Sequence, residues 1–325
     1  MRRRQFITLV GGAAAWPLAA RAQQAAMPVV GFLNSGSAAE WAHLVDAFKQ
    51  GLNELGYVES KSVAIEFRWA DGENERLAAL AADLVSHHVT VIAAFGPPAA
   101  LAAKAATGTI PIIFQVGSDP IDLGLVTSFR RPTSNLTGIN IFAEVLTPKR
   151  QELLHEIVPT APLVAMLVNP TSAQTQSEVR NVQAAADKLG QPVRIFNVTS
   201  DQQLDAAFAT IIDERIGGLL VQPDQFFTGR REQLVLLTTR HAIPAVFGWR
   251  EFVLAGGLMS YGASLRASYH QAGAYVGRVL KGEKPDDLPV LRPIKFDCVV
   301  NLQTARTLAI NVPPTLLAVA TEVIE

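Results

Sequence analysis

Residues 29–55 read VVGFLNSGSAAEWAHLVDAFKQGLNEL and contain one complete β-α unit. Val29–Leu33 is a short run, apolar on both faces, as a parallel strand covered on both sides requires. Ser37-Ala38-Ala39-Glu40 has the spacing of a capping box, so a helix begins there. Trp41, Leu44, Val45, Phe48, Leu52 and Leu55 then recur at i, i+3, i+4 and i+7, which is the buried stripe of an amphipathic helix. Between strand and helix lies a turn of small and hydrogen-bonding residues.

The same alternation continues along the chain. Val63–Trp69, Val89–Phe95, Ile110–Val116, Leu163–Val168, Val193–Val198, Gly218–Val221 and Ile243–Phe247 are strand-like runs. Helical stripes at Leu77, Leu80 and Leu84, and at Val179, Val182, Ala186 and Leu189, fall between them. Repeated β-α-β units predict an α/β chain with right-handed crossovers. Two sets are visible, one on each side of about residue 143, so we expect two doubly wound parallel-sheet lobes. Ser134–Gly138 reads as a polar turn, and Thr147-Pro148 as a cap followed by proline at a helix start. After Gly257 the pattern is less regular. Leu258–Tyr261 reads as a strand, Ser264–Leu280 as a helix, Pro289–Val300 as an extended segment and Leu302–Ile310 as a helix. A chain of 325 residues with 49% hydrophobic content fills two cores, and composition excludes a disordered, collagenous or disulfide-stapled chain.

Lys and Arg total 28 against 29 Asp and Glu, which gives no electrostatic reason to bind nucleic acid. The balance hides an asymmetry. Arg2, Arg3, Arg4 and Arg21 lie within residues 1–22, where no acidic residue occurs. A basic start, an apolar run from Phe6 to Ala20 and Ala20-Arg21-Ala22 fit an export signal cleaved near Ala22. Arg3-Arg4-Gln5-Phe6-Ile7 also resembles the twin-arginine pattern, and the plain secretory route stands as the alternative. The run is broken by Pro17 and falls short of the ~20 residues needed to span a bilayer. Without this segment 24 basic residues face 29 acidic ones, so the exported chain carries a formal −5. The single cysteine, Cys298, cannot form an internal disulfide and reads as a buried strand position. The histidines lack metal-ligand spacing, so no metal is expected.

No G-x-G-x-x-G, Walker loop, G-x-S-x-G elbow or H-E-x-x-H occurs, so no nucleotide cofactor and no catalytic motif is called for. What recurs instead is a set of turns at strand ends. In a doubly wound sheet these turns share the ligand side, and helix N-termini there offer N–H groups to a carboxylate. Thr171-Ser172-Ala173-Gln174 repeats the capping box after Val168-Asn169-Pro170, and Ser35 and Ser172 stand beside these caps without being needed for them. Gly96-Pro97 opens a helix. Asp119 and Asp224 follow strands and suit a ligand ammonium, while Phe226, Phe227, Trp249 and Tyr261 near strand ends suit an aromatic wall.

Several segments together carry a resemblance. They are Phe114-Gln115-Val116-Gly117-Ser118-Asp119-Pro120, Asn135-Leu136-Thr137-Gly138-Ile139, Leu167-Val168-Asn169-Pro170, Gly256-Gly257-Leu258-Met259-Ser260-Tyr261-Gly262, Leu280-Lys281-Gly282-Glu283-Lys284-Pro285 and Pro313-Pro314-Thr315-Leu316-Leu317. In this order they resemble the substrate-binding proteins of ABC-type importers, in the branch related to tryptophan- and tyrosine-binding proteins. The resemblance implies a type I periplasmic-binding-protein fold, with two lobes joined by three crossings and one ligand in the cleft. Lobe 1 is then residues 27–142 with about 263–290, and lobe 2 residues 143–262 with about 291–325. Carried over by position, it points to Ser35, Gly96, Pro97, Asp119, Asn140, Asn169, Ser172, Asp224 and Tyr261 as ligand-binding. It also implies a small-molecule ligand, a membrane permease with its ATPase as partners, a monomer, and a periplasmic location. Two positions depart from the family's usual residues. Phe95 replaces a smaller side chain and is expected to narrow the pocket, and Ala309 replaces a glycine. Two other readings of the same turns are an exported α/β enzyme using Asp119 or Asp224 as a base, and a ligand-sensing lobe that signals to a receptor.

Overall fold

The computed structural model describes residues 27–132, 134–293 and 296–325. The expected export signal at 1–22 lies outside the described residues. The first sheet holds β1 (Val29–Asn34), β2 (Ala64–Trp69), β3 (Val91–Phe95), β4 (Ile112–Val116) and β5 (Leu136–Asn140), in the order β2-β1-β3-β4-β5 and parallel throughout. The second holds β6 (Val164–Val168), β7 (Val193–Asn197), β8 (Leu219–Val221), β9 (Ala245–Phe247), β10 (Met259–Ala263), β11 (Phe296–Asn301) and β12 (Glu322–Ile324). Its order is β12-β11-β10-β9-β8-β6-β7, with only the β10–β11 pair antiparallel. Each sheet therefore reverses strand order once, between β1 and β3 and between β6 and β8, and each reversal opens a crevice at the strand carboxyl ends.

Among the described residues the chain passes between the two sheets three times. The first passage follows β5. The second follows β10, after which the helix Leu265–Leu280 returns to lie along the helix Ala38–Glu54. Glycines permit that approach: a Cβ on Gly273 would stand 2.0 Å from the Phe48 carbonyl oxygen, and one on Gly51 2.0 Å from that of His270. The chain then runs beside β5, where Thr137 Oγ1 donates to the Leu288 carbonyl at 2.7 Å and Leu291 N–H to that of Gly138 at 2.9 Å. The third passage leads into β11.

Several local expectations change. The supposed turn at Ser134–Gly138 contains the start of β5, whose Gly138 lies against the Phe114 backbone where no side chain fits. Ser37 precedes its helix without a side-chain capping bond. Thr171 does not cap either; the helix begins later, at Thr175. Thr147 lies inside its helix and bonds Glu178 and Arg150 instead. Phe95 does not narrow a pocket, because its ring is wholly buried and stacks on Tyr269 at 4.1 Å and Phe32 at 4.5 Å. Cys298 is buried on β11.

Ala309, after the helix Leu302–Thr307, adopts φ of 54°, the left-handed conformation that glycine tolerates best. Ala309→Gly should therefore raise unfolding stability by about 0.5–1 kcal/mol. Gly273→Ala should lower it by about 1–3 kcal/mol through overpacking. Urea denaturation of the two variants checks both signs.

Candidate functional site

The turns after β1, β3, β4, β6, β8 and β9 converge on one cleft of about 670 Å³ between the two sheets. On the first-sheet side, the Asn34 amide organises the turn after β1. Its Nδ2 donates to the Tyr269 hydroxyl at 3.0 Å, and its Oδ1 accepts from Gly36 N–H at 2.7 Å. This fixes Ser35 and Trp41 in the wall. Both are at least nine-tenths buried, yet the Ser35 hydroxyl and the Trp41 indole N–H have no hydrogen-bond partner among the described residues. A buried donor left unsatisfied costs about 1–3 kcal/mol, so such groups mark a place for a partner. The Gly96-Pro97-Pro98 turn contributes differently from expectation. Its two prolines sit at the first helical positions and remove N–H donors, while Gly96 N–H is spent on the Gln115 carbonyl at 2.8 Å.

The second-sheet wall is built from acceptors. Asp224 caps the short helix Gln225–Gly229, and its Oδ1 accepts from Phe226 N–H at 2.9 Å and from Asn169 Nδ2 at 3.0 Å. Asn169 is positioned in turn by Thr171, whose N–H and hydroxyl both donate to Asn169 Oδ1. Burial raises the Asp224 pKa above the ordinary carboxylate value, against the bonds from Asn169, Phe226, Ser172 and Gln225 that lower it. Phe226 and Trp249 add aromatic surface. The Arg230 guanidinium lies 3.8 Å over the Phe226 ring and is paired with Asp201. Hydrogen bonds tie the walls together, among them Ser118 Oγ to Gln174 Oε1 at 2.9 Å and Gln225 Nε2 to the Phe95 carbonyl at 3.2 Å.

Six of the nine sequence candidates line the cleft: Ser35, Gly96, Pro97, Asn169, Ser172 and Asp224. The structure places the other three elsewhere. Asp119 lies outside the lining, where its Oδ1 accepts from Ile121 N–H at 2.7 Å within its own turn. Asn140 is buried, and its Oδ1 accepts from Phe142 N–H at 2.8 Å at the start of the first passage. Tyr261 packs its ring 6.1 Å from that of Phe296 on the sheet, away from the lining. Phe227 is core. Conversely Trp41, whose periodicity marked it as core, is also wall, and Gln225 had only its place one residue after Asp224 to signal it. Among the described residues no group of three His, Cys, Asp or Glu could hold a metal, and no helix is long and apolar enough to cross a membrane.

This geometry, two wound sheets with a ligand-sized cleft across their switch points, has counterparts. The family model for ABC transporter substrate binding proteins matches residues 32–324. The chain belongs to this family. A tyrosine-binding protein of Clostridioides difficile (strain R20291) is 24% identical over 261 residues, covering 80% of this chain and 75% of that protein. A conserved domain protein of Vibrio cholerae has the same fold, with a TM-score of 0.84 at 24% identity over 91% of this chain and 99% of its own. A domain from Streptococcus pneumonia solved in complex with L-Trp superposes with a TM-score of 0.83 at 24% identity, again covering 91% and 99%. As a substrate-binding protein of an ABC transporter, the chain has the two-lobed α/β fold of type I periplasmic binding proteins, and it acts by binding a small solute.

The raised pKa of Asp224 has a consequence for stability. Burial favours the neutral acid over the carboxylate. Native stability is therefore lost as pH rises from the ordinary aspartate range through the raised native value. Asp224→Asn keeps an Oδ1 for Phe226 and Asn169 but removes the charge. In the ligand-free protein the variant should melt higher at neutral pH, and the difference should vanish in acid, as scanning calorimetry across that range would show.

Proposed function

We propose that this substrate-binding protein is the periplasmic receptor of an importer and captures an amino acid or a closely related carboxylate, with an aromatic side chain among the accepted groups. The observation that carries the reading is the opposition of the two walls. The first-sheet side presents two unsatisfied donors, Ser35 O–H and Trp41 N–H, and the second presents the Asp224 carboxylate. A zwitterion satisfies both at once, because its carboxylate takes the donors and its ammonium takes the acid. Burying either charge alone would cost several kcal/mol. Trp41, Phe226 and Trp249 supply apolar wall for a ring. Relatives named for tyrosine or solved with L-Trp support the same ligand class.

On this reading lobe 1 is residues 27–142 with about 263–290, and lobe 2 residues 143–262 with about 291–325. Ligand contacts from both walls favour closure, by no more than their differential affinity for the closed form. The protein reaches the periplasm by the signal at 1–22, through the twin-arginine or the plain secretory route, with cleavage near Ala22. It acts as a monomer, delivers ligand unchanged to a membrane permease with its ATPase, and performs no chemistry. Ligand that bound the native state alone would raise its melting temperature by mass action.

Thermal-shift and calorimetric titrations with L-tryptophan, L-tyrosine and the other amino acids test this. At least one amino acid should stabilise the mature protein. Ser35→Ala should weaken that ligand about ten-fold, and Asp224→Ala about a hundred-fold. No shift with any amino acid would overturn the ligand class.

A further inference from the structure

We infer that Gln225 couples ligand recognition to closure and reads the ligand's amine. This rests on the amino-acid reading above and adds a residue and a selection rule to it. The Gln225 amide lies between the walls. Its Nε2 donates across the cleft to the Phe95 carbonyl at 3.2 Å, whereas its Oε1 is buried, on a residue lining the cleft, and has no partner among the described residues. An amide oxygen taken out of water needs a donor. Asp224 precedes it in the chain, and both residues line the cleft. A ligand ammonium has three N–H donors and can satisfy both acceptors. A ligand without an amine leaves Oε1 unsatisfied whatever its ring contacts.

The opposite wall is shaped to admit this side chain. Gly96 has φ of 92°, and a Cβ there would lie 2.3 Å from Gln225 Nε2 and 3.6 Å from Ser35 Oγ. Any side chain at residue 96 therefore displaces the Gln225 amide from Phe95. The amide also orients itself: with Nε2 held by a carbonyl, Oε1 is the end left for the ligand. One side chain thus holds the first-sheet wall with one atom and the ligand with the other. Closure without ligand gains one hydrogen bond from it, and closure with an amine-bearing ligand gains a second.

The test measures the distance between labels on the two lobes by single-molecule energy transfer, with and without ligand, in folded variants checked by circular dichroism. Gln225→Met keeps the length and removes both polar atoms. Without ligand it should lower the closed-to-open ratio about five-fold, the worth of one net hydrogen bond, and Gly96→Ala should do the same. Gln225→Glu keeps an acceptor but loses the donor, so its ligand-free closure should recover as pH falls and the neutral acid can donate to Phe95. A purely structural role would not create that pH dependence. In binding, wild type should prefer L-tryptophan over indole-3-propionate, which lacks the amine, and Gln225→Met should shrink that preference about ten-fold. Closure and amine preference unchanged in Gln225→Met, or a ligand-free wild type no more closed than the variant, would overturn the inference. If neither probe binds wild type, the preference is read with the amino acid that stabilises the protein and its analogue lacking the amine; if no amino acid stabilises it, the amino-acid reading fails, while the ligand-free closure of the variants still decides the role of Gln225.

Discussion

The guanidinium of Arg150 is the fixed point about which the cleft is arranged. It is 1% exposed, and burial lowers its pKa to about 10 against the pull of Glu178, so it remains charged at neutral pH. Its partners are the Ala143 carbonyl at 2.6 Å, the Thr147 hydroxyl at 3.1 Å and the Tyr261 carbonyl at 3.0 Å. Ala143 belongs to the first passage between the sheets, and Tyr261 lies on β10 just before the second. A buried cation that lost these acceptors would cost about 3–5 kcal/mol. Both passages are therefore pinned at these carbonyls to the helix Thr147–Ile157, which packs on the second sheet.

Phe142 immediately precedes the first of these anchors, Ala143. Its φ is 51°, a conformation that costs a bulky residue about 1 kcal/mol or more. The strain persists because neighbours over-determine it. Asn140 Oδ1 accepts the Phe142 N–H, and the Arg292 guanidinium of the third passage lies 5.3 Å over the Phe142 ring while also stacking 3.8 Å over Phe129. Asn140 thus holds the start of the passage. The first and third passages are coupled through a cation and two rings, which makes the connection a linked set and not three independent strings.

The fold was legible because burial on both faces leaves a strong mark: continuous apolar runs such as Val91–Phe95 and Val164–Val168 have no other use at that length. β5 was not, since Leu136-Thr137-Gly138-Ile139-Asn140 mixes polar and small residues that serve contacts distant in sequence, Gly138 with Phe114 and Thr137 with Leu288. The capping boxes misled at Ser37 and Thr171 for a related reason. Near a cleft a hydroxyl has competitors for its bonds, as Thr171 shows by turning to Asn169. Turn position brought Ser35, Asn169, Ser172 and Asp224 to the cleft lining because the strand carboxyl ends all face one crevice. The same logic does not bring in Asp119, whose turn folds on itself, or Tyr261, whose ring packs on Phe296. Gln225 was invisible because its role depends on a carbonyl 130 residues earlier in the chain.

Position in sequence also explains the division of labour between the walls. Prolines at 97 and 98 take N–H groups away from one helix start on the first-sheet side, so its donors come from side chains, Ser35 and Trp41, held by the Asn34–Tyr269 pair. Tyr269 itself arrives from the helix that follows the second passage. The donor wall is consequently complete only after the chain has built most of the second lobe and returned. The acceptor wall is local by contrast, since Asn169, Asp224 and Gln225 all follow adjacent strands β6 and β8. Neither wall can bury both ends of a zwitterion by itself, and each leaves a group unsatisfied that the other does not reach. A cleft of that kind gains differential affinity only when the walls meet around a ligand, which is the condition under which binding can drive closure.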